Sequence, residues 1–73
     1  MSLVITPKGI INDMPLTIRE RNILQLLSMG LQQKQIAEKL FIKHETVKKH
    51  LKNAYKKLGA HNGVQALRNA GLI

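Results

Sequence analysis

The chain contains no cysteine, so it can form neither a disulfide framework nor a thiolate zinc site. This composition is usual for proteins of a reducing, cytoplasmic environment. The amino-terminal stretch lacks the basic start and apolar core of a signal peptide, and no apolar run approaches the roughly 18 residues that a membrane span needs. We therefore expect a cytoplasmic protein with no membrane partner.

Acidic and aromatic residues are also scarce. Four Asp and Glu oppose twelve Lys and Arg, which gives a net charge of +8 and a sequence pI near 10.4. A balance this basic favours a polyanionic partner, most often nucleic acid. One Tyr, one Phe and no Trp leave little surface on which unstacked bases could lie. Duplex DNA is therefore favoured over RNA and single strands.

Groupings typical of catalysis are missing from the sequence. There is no Ser/His/Asp grouping, no glycine-rich phosphate loop and no pair of inward carboxylates. His44 and His50 are six positions apart, so they do not have the i, i+4 spacing with which two histidines share a metal on one helix face. We expect no enzyme activity, no cofactor and no metal site.

The chain divides into two parts by composition. Residues 1–15 hold two prolines, a glycine, an asparagine and an aspartate around two short apolar patches. This is typical of an arm or linker, and the opening MSL is typical of a cloning remnant. Residues 16–73 show a periodicity near 3.6 and form the predicted domain.

Capping and breaking residues predict four helices in this domain. The first begins at a capping box of Thr17 and Glu20 and ends at Gly30. The second spans residues 33–40, and the third spans 45–58 before a glycine. The fourth spans 63–70 and begins after an asparagine that can cap it.

The third helix has one aliphatic edge on an otherwise basic surface. At 100° per residue four apolar positions fall within about 60° of one another: Val47, Leu51, Ala54 and Leu58. Three lysines point away from that edge: Lys49, Lys52 and Lys56. The aliphatic edge is expected to face the core, which leaves the lysines outside.

A short helix, a tight turn and a longer basic helix are typical of a helix-turn-helix unit. Ala37 is small where the two axes must approach. The small core between the helices is predicted to hold Ile36, Leu40, Ile42, Val47 and Leu51. Phe41 occupies the turn, where many simple units have glycine.

Four stretches resemble the LuxR-type DNA-binding domain, also called the FixJ or GerE type: LTIRE at 16–20, GLQQKQIAEKLFI at 30–42, TVKKH at 46–50 and KKLG at 56–59. Their order and spacing match from about Leu16 to Ala70. The resemblance implies an all-α, compact four-helix bundle that binds duplex DNA. It also implies the output domain of a bacterial transcription regulator, here a fragment of a two-component response regulator.

The resemblance also implies site residues. The base-contacting positions fall on Lys48, Lys49 and Lys52. The positions that contact the DNA backbone fall on Lys34, Thr46, His50, Lys56 and Lys57. The dimer interface falls on the fourth helix at Val64, Leu67 and Arg68. A homodimer on DNA is the expected assembly, and RNA polymerase is a further candidate partner.

Three positions depart from the LuxR-type pattern. Gln32 and Lys43 stand where the family commonly starts its second and third helices with Ser or Thr, and neither is a good cap. Glu45 in the first turn of the third helix partly compensates through the helix dipole. Gly63 stands where relatives often carry arginine, so a phosphate or dimer contact from that arginine is not expected here.

Two other functions compete with this interpretation. Sigma-factor region 4 has a similar pair of helices, although the Gly59 stop and a further capped helix argue against it. A small basic protein could instead place its cationic helix on an anionic membrane or an acidic protein. The absence of Trp and Phe anchors on that helix disfavours a membrane surface.

Overall fold

A computed structural model describes residues 15–73, which form four helices and no strand. The helices are α1 (Ile18–Ser28), α2 (Gln33–Leu40), α3 (His44–Leu58) and α4 (Gly63–Asn69). This confirms the all-α, four-helix prediction. Among these residues no helix is both long and apolar enough to cross a bilayer. The predicted arm lies outside the described residues except for Pro15.

The helix starts follow the local sequence closely. Thr17 Oγ1 accepts from the Glu20 N–H at 3.0 Å, and Glu20 Oε1 accepts from the Thr17 N–H at 3.0 Å, which completes the predicted capping box. Asn62 Oδ1 accepts from the Gln65 N–H at 2.8 Å at the start of α4. The Gln65 side chain accepts from the His61 N–H at 2.6 Å, one residue before the amide that a capping box would use.

The second and third helices start without Ser or Thr caps, and other contacts support them. Lys43 makes no side-chain capping bond. At the start of α2, Gln35 Oε1 accepts from the Gln32 N–H at 2.8 Å. His44 Nε2 and Gln33 Oε1, 3.3 Å apart, link the first residues of α3 and α2. α3 begins one residue earlier than the sequence predicted, at His44.

The turn between α2 and α3 adopts a left-handed conformation without glycine. Phe41 ends α2 with φ 58° and ψ 42°, a region that costs an L-residue roughly 1–2 kcal/mol. Its side chain is 94% exposed, so packing gives little in return. The Ile42 N–H donates to the Ala37 carbonyl at 3.0 Å and closes the end of the helix. The turn is therefore made by backbone hydrogen bonds, whereas Gly59 makes the corresponding end of α3 with φ 64°.

The core lies where α1 and α3 meet, and each of these helices contacts all the others. Nine apolar side chains are buried there: Ile23, Leu24, Ile36, Ala37, Val47, Leu51, Ala54, Ala66 and Leu67. Three side chains predicted to pack inward are only half-buried around this core, Leu40, Ile42 and Leu58, and so are Leu26 and Leu27 of α1. Burial of Val47, Leu51 and Ala54 confirms the predicted inward edge of α3.

One ion pair joins the start of α1 to the last turn of α3. Lys57 Nζ lies 2.9 Å from Glu20 Oε1 and also donates to the Pro15 carbonyl at 3.3 Å. Glu20 is 3% exposed, so this carboxylate of the capping box is enclosed by the fold. Burial by itself raises the pKa of Glu20, but hydrogen bonds from Thr17 and Lys57 and the Lys57 charge outweigh burial. The pKa of Glu20 is therefore lowered.

We expect Glu20→Gln to lower the free energy of unfolding near neutral pH by about 1–3 kcal/mol, because it removes an enclosed charge from two hydrogen bonds. A lowered folded-state pKa means that this stabilisation is complete above the unfolded value of about 4.3 and is lost as pH falls through the folded value. Urea unfolding of wild type and variant across acidic pH should show their difference shrinking.

Glu38→Gln is the matched control, because Glu38 is exposed on α2. It should change the free energy of unfolding by no more than about 0.5 kcal/mol. An equal loss in both variants, or a Glu20→Gln deficit that stays constant into acid, would contradict the role of the enclosed pair.

Candidate nucleic-acid interface

The recognition face of α3 is set by the helix's buried edge. With Val47, Leu51 and Ala54 in the core, the residues between them turn outward. The structure exposes all four lysines of this outer face, which we call the lysine face: Lys48, Lys49, Lys52 and Lys56. Among them are the three predicted base-contacting residues. Because these four lysines are exposed, the outer face of α3 can contact a polyanion without rearrangement of the core.

The other predicted backbone-contacting residues differ in their exposure. Lys34 is exposed at the second position of α2, while Thr46 and His50 on α3 are half-buried. The Thr46 and His50 side chains lie to one side of the lysine face on α3. Contact of Lys34, Thr46 and His50 with DNA remains a prediction.

Lys57 occupies a different position from the other lysines of α3. Its side chain is 16% exposed, and its ammonium group is held by Glu20 and Pro15. An ammonium group has three N–H donors, so one remains for another acceptor. A structural role for Lys57 was not apparent from the sequence, because its partner is 37 residues away in the chain.

A groove of about 420 Å³ runs beside the lysine face of α3. Six polar side chains line it: Gln33 from α2, Lys48, Lys52, Tyr55 and Lys56 from α3, and His61 from the α3–α4 loop. Gln33, Tyr55 and His61 were not predicted as site residues. Only the packing of three segments brings them together, although a basic helix followed by a histidine in the next loop was visible in the sequence.

Tyr55 also lines this groove, and its hydroxyl lies near the start of α4. Burial raises the pKa of Tyr55, so the phenol is protonated at neutral pH and can donate. A Cβ built on Gly63 would lie 3.3 Å from Tyr55 Oη and 3.6 Å from a Leu27 methyl carbon. The glycine thus leaves room for the Tyr55 hydroxyl at the start of α4.

The three predicted dimer residues on α4 differ in solvent exposure. Val64 is 59% exposed and Arg68 is also exposed. Leu67 is 8% exposed and belongs to the core, so it offers almost no surface to a second chain. Burial of Leu67 and Ala66 accounts for much of the apolar character of α4.

No group of three His, Asp or Glu side chains within residues 15–73 is arranged to hold a metal ion. His44 contacts Gln33 instead.

Comparison with known proteins identifies the family of the chain. The profile of the family described as "Bacterial regulatory proteins, luxR family" matches residues 14–70. The chain belongs to the LuxR family. The match covers all four helices of this LuxR-family domain and does not favour the sigma-factor alternative. No solved structure matches the chain.

Similar curated proteins are bacterial regulators. The domain is 42% identical over 62 residues to the "Fimbriae Z protein" of Salmonella typhimurium, covering 85% of this chain and 30% of that protein. It is 49% identical over 51 residues to a "Nitrate/nitrite response regulator protein homolog" of Haemophilus influenzae, covering 70% of this chain and 24% of that protein. It is 46% identical over 52 residues to the "CsgBAC operon transcriptional regulatory protein" of Escherichia coli, covering 71% and 24%. The chain thus spans less than a third of the length of these three relatives.

Proposed function

We propose that this LuxR-family domain binds duplex DNA in a sequence-specific manner as the output domain of a bacterial transcription regulator. The observation that carries the proposal is the exposed lysine face of α3, opposite a fully buried edge. Family membership and the net charge of +8 support it. The names of the relatives support a two-component response regulator as the parent protein, acting in the bacterial cytoplasm.

The dimensions of α3 suit the major groove. A helix with its side chains is about 10–12 Å across, and the major groove is about 12 Å wide. Its 15 residues give α3 a length of about 22 Å. Lys48, Lys49 and Lys52 lie in its first nine residues, toward the amino-terminal end that contacts base edges in a recognition helix. Their ammonium groups can donate to guanine O6 and N7.

The remaining contacts position the helix on the phosphates. Lys34, Thr46, His50 and Lys56 carry donors suited to phosphate oxygens. Lys57 keeps one N–H donor beside its contacts with Glu20 and Pro15, and this donor is available for a phosphate oxygen. The base contacts therefore give specificity, and the surrounding residues give orientation.

A salt titration tests the electrostatic basis of this function. If one domain neutralises roughly 4–6 phosphates, log K should fall against log salt with a slope of about −4 to −5. Fluorescence anisotropy with a labelled duplex measures this slope. A slope near zero, or binding to anionic vesicles but not to duplex DNA, would contradict the proposal.

Lys49→Ala and Lys52→Ala should flatten discrimination between a selected site and a scrambled site. Each good base contact is worth about 1–3 kcal/mol of discrimination. A preferred site is first selected from randomised duplexes, and affinities for both duplexes are then compared. Lys39→Ala is the matched control: Lys39 is equally exposed, but it lies in the last turn of α2 and lines a different groove. It should leave the ratio of the two affinities unchanged, and an equal loss of discrimination in all three variants would disprove specific readout by α3.

We further propose that two copies bind half-sites about one DNA turn apart through exposed residues of α4, Val64 and Arg68. Val64→Gln should reduce cooperative binding to a duplex with two half-sites and leave binding to a single half-site unchanged. Comparison of Hill coefficients on the two duplexes measures this effect. Independent binding of wild-type copies to both half-sites would contradict the dimer. RNA polymerase remains a further proposed partner of the bound regulator.

A further inference from the structure

The groove beside α3 extends the proposed DNA surface beyond the helix-turn-helix unit. Lys48 and Lys52 form its edge on the base-reading side, and Lys56 lies one helical turn after Lys52. His61 approaches from the α3–α4 loop, and Gln33 approaches from α2. A DNA strand that follows the groove would thus pass from the recognition residues to a loop that the basic-helix pattern does not include.

The polar side chains that line the groove include cations and neutral groups but no carboxylate. They supply three ammonium groups, one imidazole, one amide and one phenol. The Tyr55 phenol is protonated at neutral pH because burial raises its pKa. A ligand that only accepts hydrogen bonds and carries negative charge is complementary to such a surface.

We propose that this groove seats the phosphodiester backbone of one DNA strand and that His61 is a phosphate-binding residue there. The inference rests on the proposed DNA-binding function. His61 is exposed, and its backbone N–H is bonded to Gln65 Oε1 at 2.6 Å, which fixes the start of the loop against α4. The imidazole is therefore carried by an anchored backbone position beside Lys52 and Lys56.

The charged groups that share the groove with His61 are all lysines. The titratable groups that share the groove are Lys48, Lys52, Tyr55 and Lys56, all on α3. The polar residues from the neighbouring helices, Gln33 on α2 and Gln65 on α4, do not titrate. A protonated imidazole meets only cations and neutral groups in the free protein, whereas the complex adds the phosphate. Histidine side chains in general change charge between about pH 5 and 8, so a phosphate contact made by His61 should strengthen DNA binding more at pH 6 than at pH 8.

The test compares wild type with His61→Gln and His61→Arg on a labelled duplex of about 24 base pairs that spans two half-sites. At pH 6, His61→Gln should bind about 3- to 10-fold more weakly than wild type, and its salt slope should be smaller by about 0.9, the value for one phosphate. At pH 8 the affinities of these two proteins should approach each other. His61→Arg carries a permanent cation, so it should bind at pH 8 at least as tightly as wild type.

A second measurement observes the histidine directly. In heteronuclear NMR spectra of the domain, the His61 ring signals should shift when the duplex is added at pH 6. Equal affinity of wild type and His61→Gln at both pH values, with unmoved ring signals, would overturn the inference and leave the proposed function intact. Failure of wild type to bind any duplex would overturn both. Far-UV circular dichroism confirms that the variants are folded, as expected for an exposed loop position.

Discussion

The rotation of α3 about its own axis is the constraint on which the rest of the molecule depends. Val47, Leu51 and Ala54 are almost completely buried. Exposing the side chain of either Val47 or Leu51 to water would cost about 1.5–3 kcal/mol. A helix held in this way cannot turn its lysines inward. The packing that stabilises this small domain therefore also leaves a cationic surface exposed. The aliphatic edge of α3 contributes to folding, and its opposite, lysine-bearing edge is available for binding.

Polar side-chain contacts join both ends of α3 to other helices, in addition to the glycine that closes its last turn. At its start, His44 contacts Gln33 at 3.3 Å and relates the recognition helix to α2. At its end, Lys57 pairs with the enclosed Glu20 at 2.9 Å. Glu20 thus serves α1 as a capping residue and α3 as an ionic partner. In a chain with no disulfide, such contacts between distant segments fix the recognition helix in direction as well as in rotation.

Local pattern was sufficient for the helices and for much of the site. Capping residues and apolar periodicity predicted α2 at its observed bounds, and α3 and α4 to within one residue at one end. Helical geometry alone placed Lys49, Lys52 and Lys56 outside. Local pattern failed where a second segment decides the environment. Lys57 follows Lys56 in the sequence and has the same charge, yet it faces Glu20. Leu67 matches a dimer position, yet it fills the core.

The sequence by itself determined that the chain forms four helices, that one of them is basic outside and aliphatic inside, and that the LuxR-type motifs stand in order. These are properties of residue spacing, and a period of 3.6 is visible in one dimension. Tertiary structure alone decided which cations are free and which are paired, and it alone formed the groove that joins Gln33, Lys52 and His61. The reason is that a distance between side chains of different segments is set by how the helices pack, and packing has no signature in the spacing along any single helix.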